Sequence, residues 1–293
     1  MRAGRRLLAA VVAAAALAAS VSGCAYLDLK QRELIFRPNK AYSSTPAEYG
    51  LAFDDVWLQV PGAKERVHGW WMPAGDTAAP ALLYLHGARW SIGNNLFRIA
   101  RLREAGFSVL AIDYRGFGRS DGELPSEAQT YQDAQAAWAW LEQKVPDPGR
   151  RFIFGHSLGG AIAIDLASRQ PAAAGLIVES SFTSIPDMAA RNYWYVPGMV
   201  LTQRYESLAK VAAVKLPVLF MHGKADSVVP WQMSEQLHAA AEAAATRRLV
   251  LMPEAGHSNF SWKFSDAYRR ALEGFVREVS EVGRRVERLS RQP

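Results

Sequence analysis

Short apolar runs recur along the chain at Ala81–Leu85, Phe107–Ile112, Arg151–Phe154, Gly175–Val178, Leu216–Met221 and Arg248–Met252. Each is four to six residues long and bounded by turn-forming residues, the pattern of strands covered on both faces of a parallel sheet. Between them the apolar positions fall at helical spacing. Leu96, Ile99 and Leu102 mark a helix over Asn95–Ala105 that Gly106 stops. Ser126 and Gln129 form a capping box before a helix with Ala134, Ala137, Trp138, Leu141 and Val145 on one stripe. A small-residue helix is expected over Ala161–Arg169, another over Trp231–Ala245, and a closing one with Phe264, Tyr268, Leu272, Phe275 and Val279 at core spacing. Earlier in the chain, Asp54–Val60 and Val67–Met72 flank the turn Pro61-Gly62 and predict an antiparallel pair; Trp57, Trp70 and Trp71 on it are read as packing residues. Strand and helix in alternation predict an α/β domain, a mostly parallel central sheet flanked by helices. The alternation breaks once, over about 181–215. That segment holds Met188, Tyr193, Trp194, Tyr195, Met199, Leu201 and Tyr205 and is expected to form a small cap whose apolar residues line a pocket.

Composition narrows this picture. With 293 residues and 49% hydrophobic content, the chain can bury the core of one large domain, expected over 51–289, and requires no second one. The formal charge of +6 includes Arg2, Arg5 and Arg6; without them 31 basic residues face 28 acidic ones. That balance carries no nucleic-acid footprint. The basic stretch Arg277–Arg291 reads as a solvated helix face, with contact to anionic lipid as the second reading.

The first residues read as a secretory signal, 1–23: a basic start, an apolar run Leu7–Ala19 too short to span a bilayer comfortably, then small residues. Val21 Ser22 Gly23 Cys24 resembles the lipobox of bacterial lipoproteins. The resemblance implies cleavage before Cys24, lipid on that cysteine, and a membrane partner at the cell envelope. Ala25 in the next position implies the outer membrane by the Gram-negative sorting rule. A plain signal peptide with an incidental thiol is the alternative. Cys24 is the sole cysteine, so no internal disulfide can support the fold. Residues 24–50 are polar, with Pro38, Pro46 and the apolar patch Leu34 Ile35 Phe36, and are expected to be a tether that ends as an edge contact.

Candidate chemistry centres on Gly155 His156 Ser157 Leu158 Gly159 Gly160. Lying between a predicted strand and a predicted helix, it fits the nucleophile elbow, a tight turn exposing a serine hydroxyl above a sheet. Gly155 and Gly159 would let strand and helix approach, and Gly160 would allow close helix packing. Two later strands end in His222 Gly223 Lys224 Ala225 Asp226 and in Pro253 Glu254 Ala255 Gly256 His257. Ser157, Asp226 and His257 thus follow in nucleophile, acid, base order, each on a turn or loop just past a strand. Glu179, at the end of its own strand, is the alternative acid. Asp113 and Arg115 are read as groups that shape their glycine-punctuated loop, and His86, His156 and His222 as packing or loop residues. The histidines show no ligand spacing, so no metal or cofactor is expected.

Leu85 His86 Gly87, the run Asp113–Gly122, the elbow, His222 Gly223 with Asp226, and Gly256 His257 together resemble the α/β-hydrolase superfamily over about Phe53–Val279. The loop after Ile112 and the segment from Glu179 onward look most like its lysophospholipase-like, abhydrolase-domain serine hydrolases, with prolyl-oligopeptidase-like peptidases more distant. The resemblance implies Ser157 as nucleophile, His257 as base and Asp226 as its orienting acid. It also implies an oxyanion hole from the backbone N–H groups of Ala88 and Leu158. Ala88 stands where many of these relatives carry Asn, a change that leaves a backbone donor intact.

A serine hydrolase of esters or thioesters with an apolar, lipid-like acyl part is therefore the leading expectation. A serine peptidase and a non-catalytic scaffold lipoprotein are its alternatives. A dehalogenase would need a carboxylate where Ser157 stands.

Overall fold

Alternation within the central strands sets the layers of the protein. A computed structural model describes residues 22–169 and 172–290. On β3 (Ala81–Leu85), Leu83 and Leu85 face one core while Leu82 and Tyr84 face another; on β5 (Arg151–His156), Ile153 and then Phe152 and Phe154 divide in the same way. Successive side chains of a strand point to opposite faces, so a strand apolar throughout must be covered twice.

The covering helices come from both sides. One layer holds α3 (Glu127–Lys144), α4 (Leu158–Arg169), α6 (Ser207–Val211) and α7 (Gln232–Ala240). The other holds α2 (Leu96–Glu104), the short α8 (Phe260–Lys263) and α9 (Ser265–Ser290). The expected stripe of α3 is buried from Ala134 to Val145, and Ser126 closes the capping box with Gln129. Gly106 ends α2 in the left-handed region, φ +93°.

With β1 (Asp54–Gln59), β2 (Arg66–Met72), β4 (Ser108–Ile112), β6 (Gly175–Glu179), β7 (Val218–Gly223) and β8 (Arg247–Met252), the sheet has eight strands in the order β1-β2-β4-β3-β5-β6-β7-β8. Only β2 runs against its neighbours, among these strands. Trp70 and Trp71 are buried on it, whereas Trp57 on the edge strand is partly exposed between Arg66 and Arg119.

Three expectations change. Residues 24–50 make the expected contact with the domain through Phe36, but they begin as a docked helix in place of a tether. A helix, α1, runs over residues 22–36 and delivers Phe36 into the core, and the following segment anchors Tyr42 on Asp113 and buries Pro46. Polar composition concealed this docking because much of the contact is made by polar side chains. The alanine-rich stretch after Ala240 leaves the helix early. There Ala245 N–H donates to Lys215 O and Val218 N–H to Thr246 O, so strand pairing overrides helix propensity. The cap residues, on α5 (Ile185–Asn192), α6 and the loop between, do not gather into an apolar pocket. Tyr205 is a core residue packed on Phe36 and Tyr131, while Trp194, Tyr195 and Met199 face outward.

Most of the signal segment, residues 1–21 of 1–23, lies outside the described residues; Cys24 is exposed on α1. Among the described residues no helix is long and apolar enough to cross a membrane.

Candidate active site

The turn between β5 and α4 holds Ser157 at φ +55°, a left-handed conformation uncommon for a residue with a side chain. Two glycines make it possible. A Cβ on Gly155 would lie 2.1 Å from Gly159 O, and one on Gly159 would lie 2.1 Å from Leu85 O. Gly159 thus lets the helix start approach β3 as well as its own strand, a closer fit than strand-to-helix spacing alone demands. The backbone of Ser157 is fixed on both sides: its N–H donates to Glu179 O at 2.8 Å, and its carbonyl accepts from Ser181 Oγ and Gly160 N–H, each at 2.9 Å.

β7 and β8 carry the other two candidates to the same end of the sheet. Gly223 lets their loops touch, since a Cβ there would meet Ala255 O at 2.1 Å, and Ala225 N–H donates to that carbonyl at 2.9 Å. His257 Nε2 consequently lies 3.1 Å from Ser157 Oγ, and His257 Nδ1 lies 2.7 Å from Asp226 Oδ2. The structure therefore brings Ser157, His257 and Asp226 together in one hydrogen-bonded line.

Asp226 is held by more than His257. His222 Nε2 donates to the same oxygen at 3.0 Å, and Val228 and Val229 N–H groups donate to the other at 2.8 Å. Burial pushes the carboxyl pKa up, but the bonds from His222 and His257 outweigh it and hold Asp226 well below the usual carboxylate range. His222 Nε2 faces only acceptors, Asp226 Oδ2 and Val229 O at 3.1 Å, so it carries the proton and Nδ1 is left to accept from Ser234 Oγ at 2.7 Å. His156 plays a matching part on the other loop: it is buried and driven toward its neutral form, and Nε2 donates to His257 O at 2.9 Å. From sequence alone both histidines read as packing residues. The signal available was position, since His222 sits four residues before Asp226 at a strand end and His156 directly precedes Ser157.

Glu179, the alternative acid, faces away from this line. Both its oxygens lie 3.2 Å from Arg98 Nε, and Tyr268 OH donates to one of them at 2.9 Å. Arg98 gave no sequence signal, because its partner is 81 residues distant on another element.

The loop after β3 reaches the elbow. A Cβ on Gly87 would lie 3.2 Å from Ser157 Cβ, so this backbone passes directly over the serine. Arg89 N–H is engaged with Phe36 O at 2.8 Å, whereas Ala88 N–H has no partner among the described residues. Leu158 begins α4, where first-turn N–H groups have no intrahelical acceptor. His86 lies buried beneath, with Nδ1 donating to Gly87 O at 2.7 Å and its pKa pushed down to about 4 by burial. In the neighbouring loop Arg115 pairs with Asp133 at 2.7 Å, and Asp113 accepts from Tyr42 OH and Ile92 N–H. Both shape loops, as expected of them. Among the described residues no group of three or more His, Cys, Asp or Glu could hold a metal ion.

A groove of about 690 Å³ between the cap and α7 is lined by Thr183, Asp187, Arg191, Leu208 and Met233, with Pro230 at its edge. Two of its lining residues neighbour the site along the chain. Thr183 lies two residues past Ser181, and Pro230 follows the Val229 that binds Asp226.

The chain has relatives among known proteins. The family described as serine aminopeptidase, S33, matches residues 76–205, a span that includes Ser157 and ends before Asp226 and His257. The chain is 34% identical over 276 residues to the uncharacterized protein Rv2307c of Mycobacterium tuberculosis, covering 93% of this chain and 96% of that one. It is 31% identical over 246 residues to the alpha/beta hydrolase domain-containing protein WAV2 of Arabidopsis thaliana, covering 76% and 79%. To lysophosphatidylserine lipase ABHD12 of Danio rerio it is 32% identical over 211 residues, covering 62% and 54%. Among solved structures, the esterase Pf2001 of Pyrococcus furiosus superposes with a TM-score of 0.72 at 20% identity, over 83% of this chain and 97% of that one. Full-length likeness, shared sheet and a strand-end site agree: the chain belongs to the α/β-hydrolase family.

Proposed function

We propose that the protein is a serine hydrolase that cleaves esters or thioesters with an apolar acyl part. The observation that carries this reading is the line from Ser157 Oγ through His257 to Asp226, at 3.1 and 2.7 Å. A serine hydroxyl is a weak nucleophile and needs an adjacent base, itself oriented by a third group. In this reading Ser157 Oγ bonds to the acyl carbon while its proton passes to His257 Nε2. Asp226 stabilises the imidazolium, and the Ala88 and Leu158 N–H groups donate to the new oxyanion. Collapse breaks the bond to the leaving oxygen or sulfur, which takes the proton from His257. Water then repeats the sequence on the acyl-enzyme, releasing the acid and restoring Ser157.

The likeness to a lysophosphatidylserine lipase favours a lipid-derived substrate. The groove beside Asp226, which mixes Leu208 and Met233 with Arg191, suits a molecule with an apolar and an anionic part. Anchoring at the cell envelope through Cys24 belongs to the same proposal. It rests on Val21–Cys24 and on the exposure of Cys24. The family description favours a second reading, an aminopeptidase. Hydrolysis rates on acyl esters of increasing chain length and on aminoacyl amides, with Ser157→Ala beside the wild type, test the proposal. It expects turnover of esters that rises with acyl length and is abolished in the variant. Preference for aminoacyl amides would transfer the proposal to the peptidase.

A further inference from the structure

α1 does not merely lead into the domain. It is bolted to the cap. Gln31 Nε2 donates to Val200 O at 2.9 Å and its Oε1 accepts from Thr202 N–H at 2.7 Å, while Asp28 Oδ1 accepts from Thr202 Oγ1 and Gln203 Nε2 at 2.7 and 2.8 Å. Phe36, fully buried at the far end of the helix, completes the attachment.

This docking assembles an apolar surface from two parts of the chain. Leu27 and Leu34 lie four residues before and three after Gln31, so they flank it on the side of α1 that meets Val200. They are 51% and 54% exposed. Across the contact, Met199 is 90%, Trp194 84% and Tyr195 66% exposed. The rings of Trp194 and Tyr195 stand edge to face at 6.0 Å. Scattered apolar residues on a surface need no explanation, but large exposed side chains on both partners of one polar contact, a tryptophan and a tyrosine among them, do. Such rings favour the boundary between water and a bilayer, where an apolar body and a polar N–H or O–H are both accommodated.

The start of the chain identifies the occupant. Cys24 lies on α1 four residues before Asp28, about 6 Å along the axis, and the apolar run Leu7–Ala19 precedes it. Lipid on Cys24 would hold the bilayer close to the contact between α1 and the cap. We propose that the face formed by Leu27, Leu34, Trp194, Tyr195, Met199 and Val200 seats on a phospholipid bilayer and fixes the orientation of the enzyme there. The inference rests on the N-terminal anchoring of the proposed function. In this arrangement α5 links the bilayer to the site, because Asp187 and Arg191 line the groove beside the candidate triad and Tyr193–Tyr195 follow directly at the bilayer face. A lipid leaving the membrane would have a short path to Ser157.

The test uses the full chain with vesicles of phosphatidylethanolamine and phosphatidylglycerol whose acyl chains carry bromine, a quencher of tryptophan fluorescence. The wild type is expected to float with the vesicles and to be quenched. Trp194→Phe should lose most of that quenching, and Trp262→Phe, on α8 in the helix layer over the other face of the sheet, should keep it. In a Cys24→Ser background, changing Trp194, Tyr195 and Met199 to Ser should weaken vesicle partition about tenfold, with hydrolysis of a short soluble ester unchanged. Flotation without quenching that depends on Trp194 overturns the bilayer face and leaves the anchor standing. Neither flotation nor quenching overturns both, and retained ester hydrolysis then leaves the proposed activity intact. A dimer dissolved by the triple change, without quenching, assigns the face to a second copy and overturns the inference.

Discussion

Arg98 and Glu179 form an ion pair with neither side chain exposed, directly behind the candidate triad. The backbone carbonyl of Glu179 accepts from Ser157 N–H, and Arg98 Nη2 lies 3.5 Å from the carbonyl of Ser258, the residue after His257. One buried pair therefore braces the elbow and the histidine loop together. Removing a single partner leaves an uncompensated buried charge. Arg98→Met is expected to cost about 3–5 kcal/mol, read as a lowered denaturant midpoint. The double variant Arg98→Met with Glu179→Leu should recover most of the loss, because nothing charged is then left buried. A single variant as stable as the wild type would refute this bracing.

Asp226 is arranged to stay ionised, with four donors on its two oxygens. Asp226→Asn keeps the shape but presents an amide to two imidazole donors, and removes the charge that stabilises the imidazolium. The expected fall in kcat is on the order of 10⁴-fold with KM little changed. His222→Phe should lower kcat less, by about tenfold, because only one of the donors is lost. Steady-state kinetics on one ester substrate separates the two cases.

Asp113 offers a pH test of the loop behind the oxyanion region. Burial raises its pKa from the ordinary carboxylate value to about 7, against opposing bonds from Tyr42 and Ile92. The protonated form is thus favoured in the folded chain. As pH rises from about 4 to 7 the unfolded chain loses this proton first, so stability falls across that window and levels off above it. Asp113→Asn should remove the dependence. Relative to wild type, the variant should gain about 2–3 kcal/mol between pH 5 and pH 8, measured by denaturant titration at both values. A constant difference would contradict the shift.

Gly223→Ala tests how the triad loops are held together. Its new Cβ must displace Ala255 O, so the loops carrying Asp226 and His257 should separate. Misplacement by about 1 Å costs on the order of 100-fold in rate. Activity should fall by that much, and the pair of loops should show faster amide exchange than the distant strands β1 and β2.

Much of this was legible in the chain itself. The strands declare themselves because residues such as Leu82 and Leu83 must be apolar on both faces, and the elbow because Gly155 and Gly159 answer a backbone contact no side chain permits. Asp226 was separable from Glu179 by its place on a loop. What escaped depends on long-range pairing. Arg98 sits on a helix with ordinary amphipathic spacing and meets Glu179 only once the sheet has formed. His222 and His156 look like neighbours of motifs until the loops converge. The docking of α1 rests on Asp28, Gln31 and a single buried Phe36, a pattern that composition reads as a tether.

The most direct measurement of the central claim is the intact mass of the protein after exposure to a fluorophosphonate, followed by peptide mapping. One adduct is expected, on Ser157, absent from Ser157→Ala and strongly slowed in His257→Ala. A folded wild-type protein that takes up no adduct, or takes it up elsewhere, would contradict Ser157 as the nucleophile.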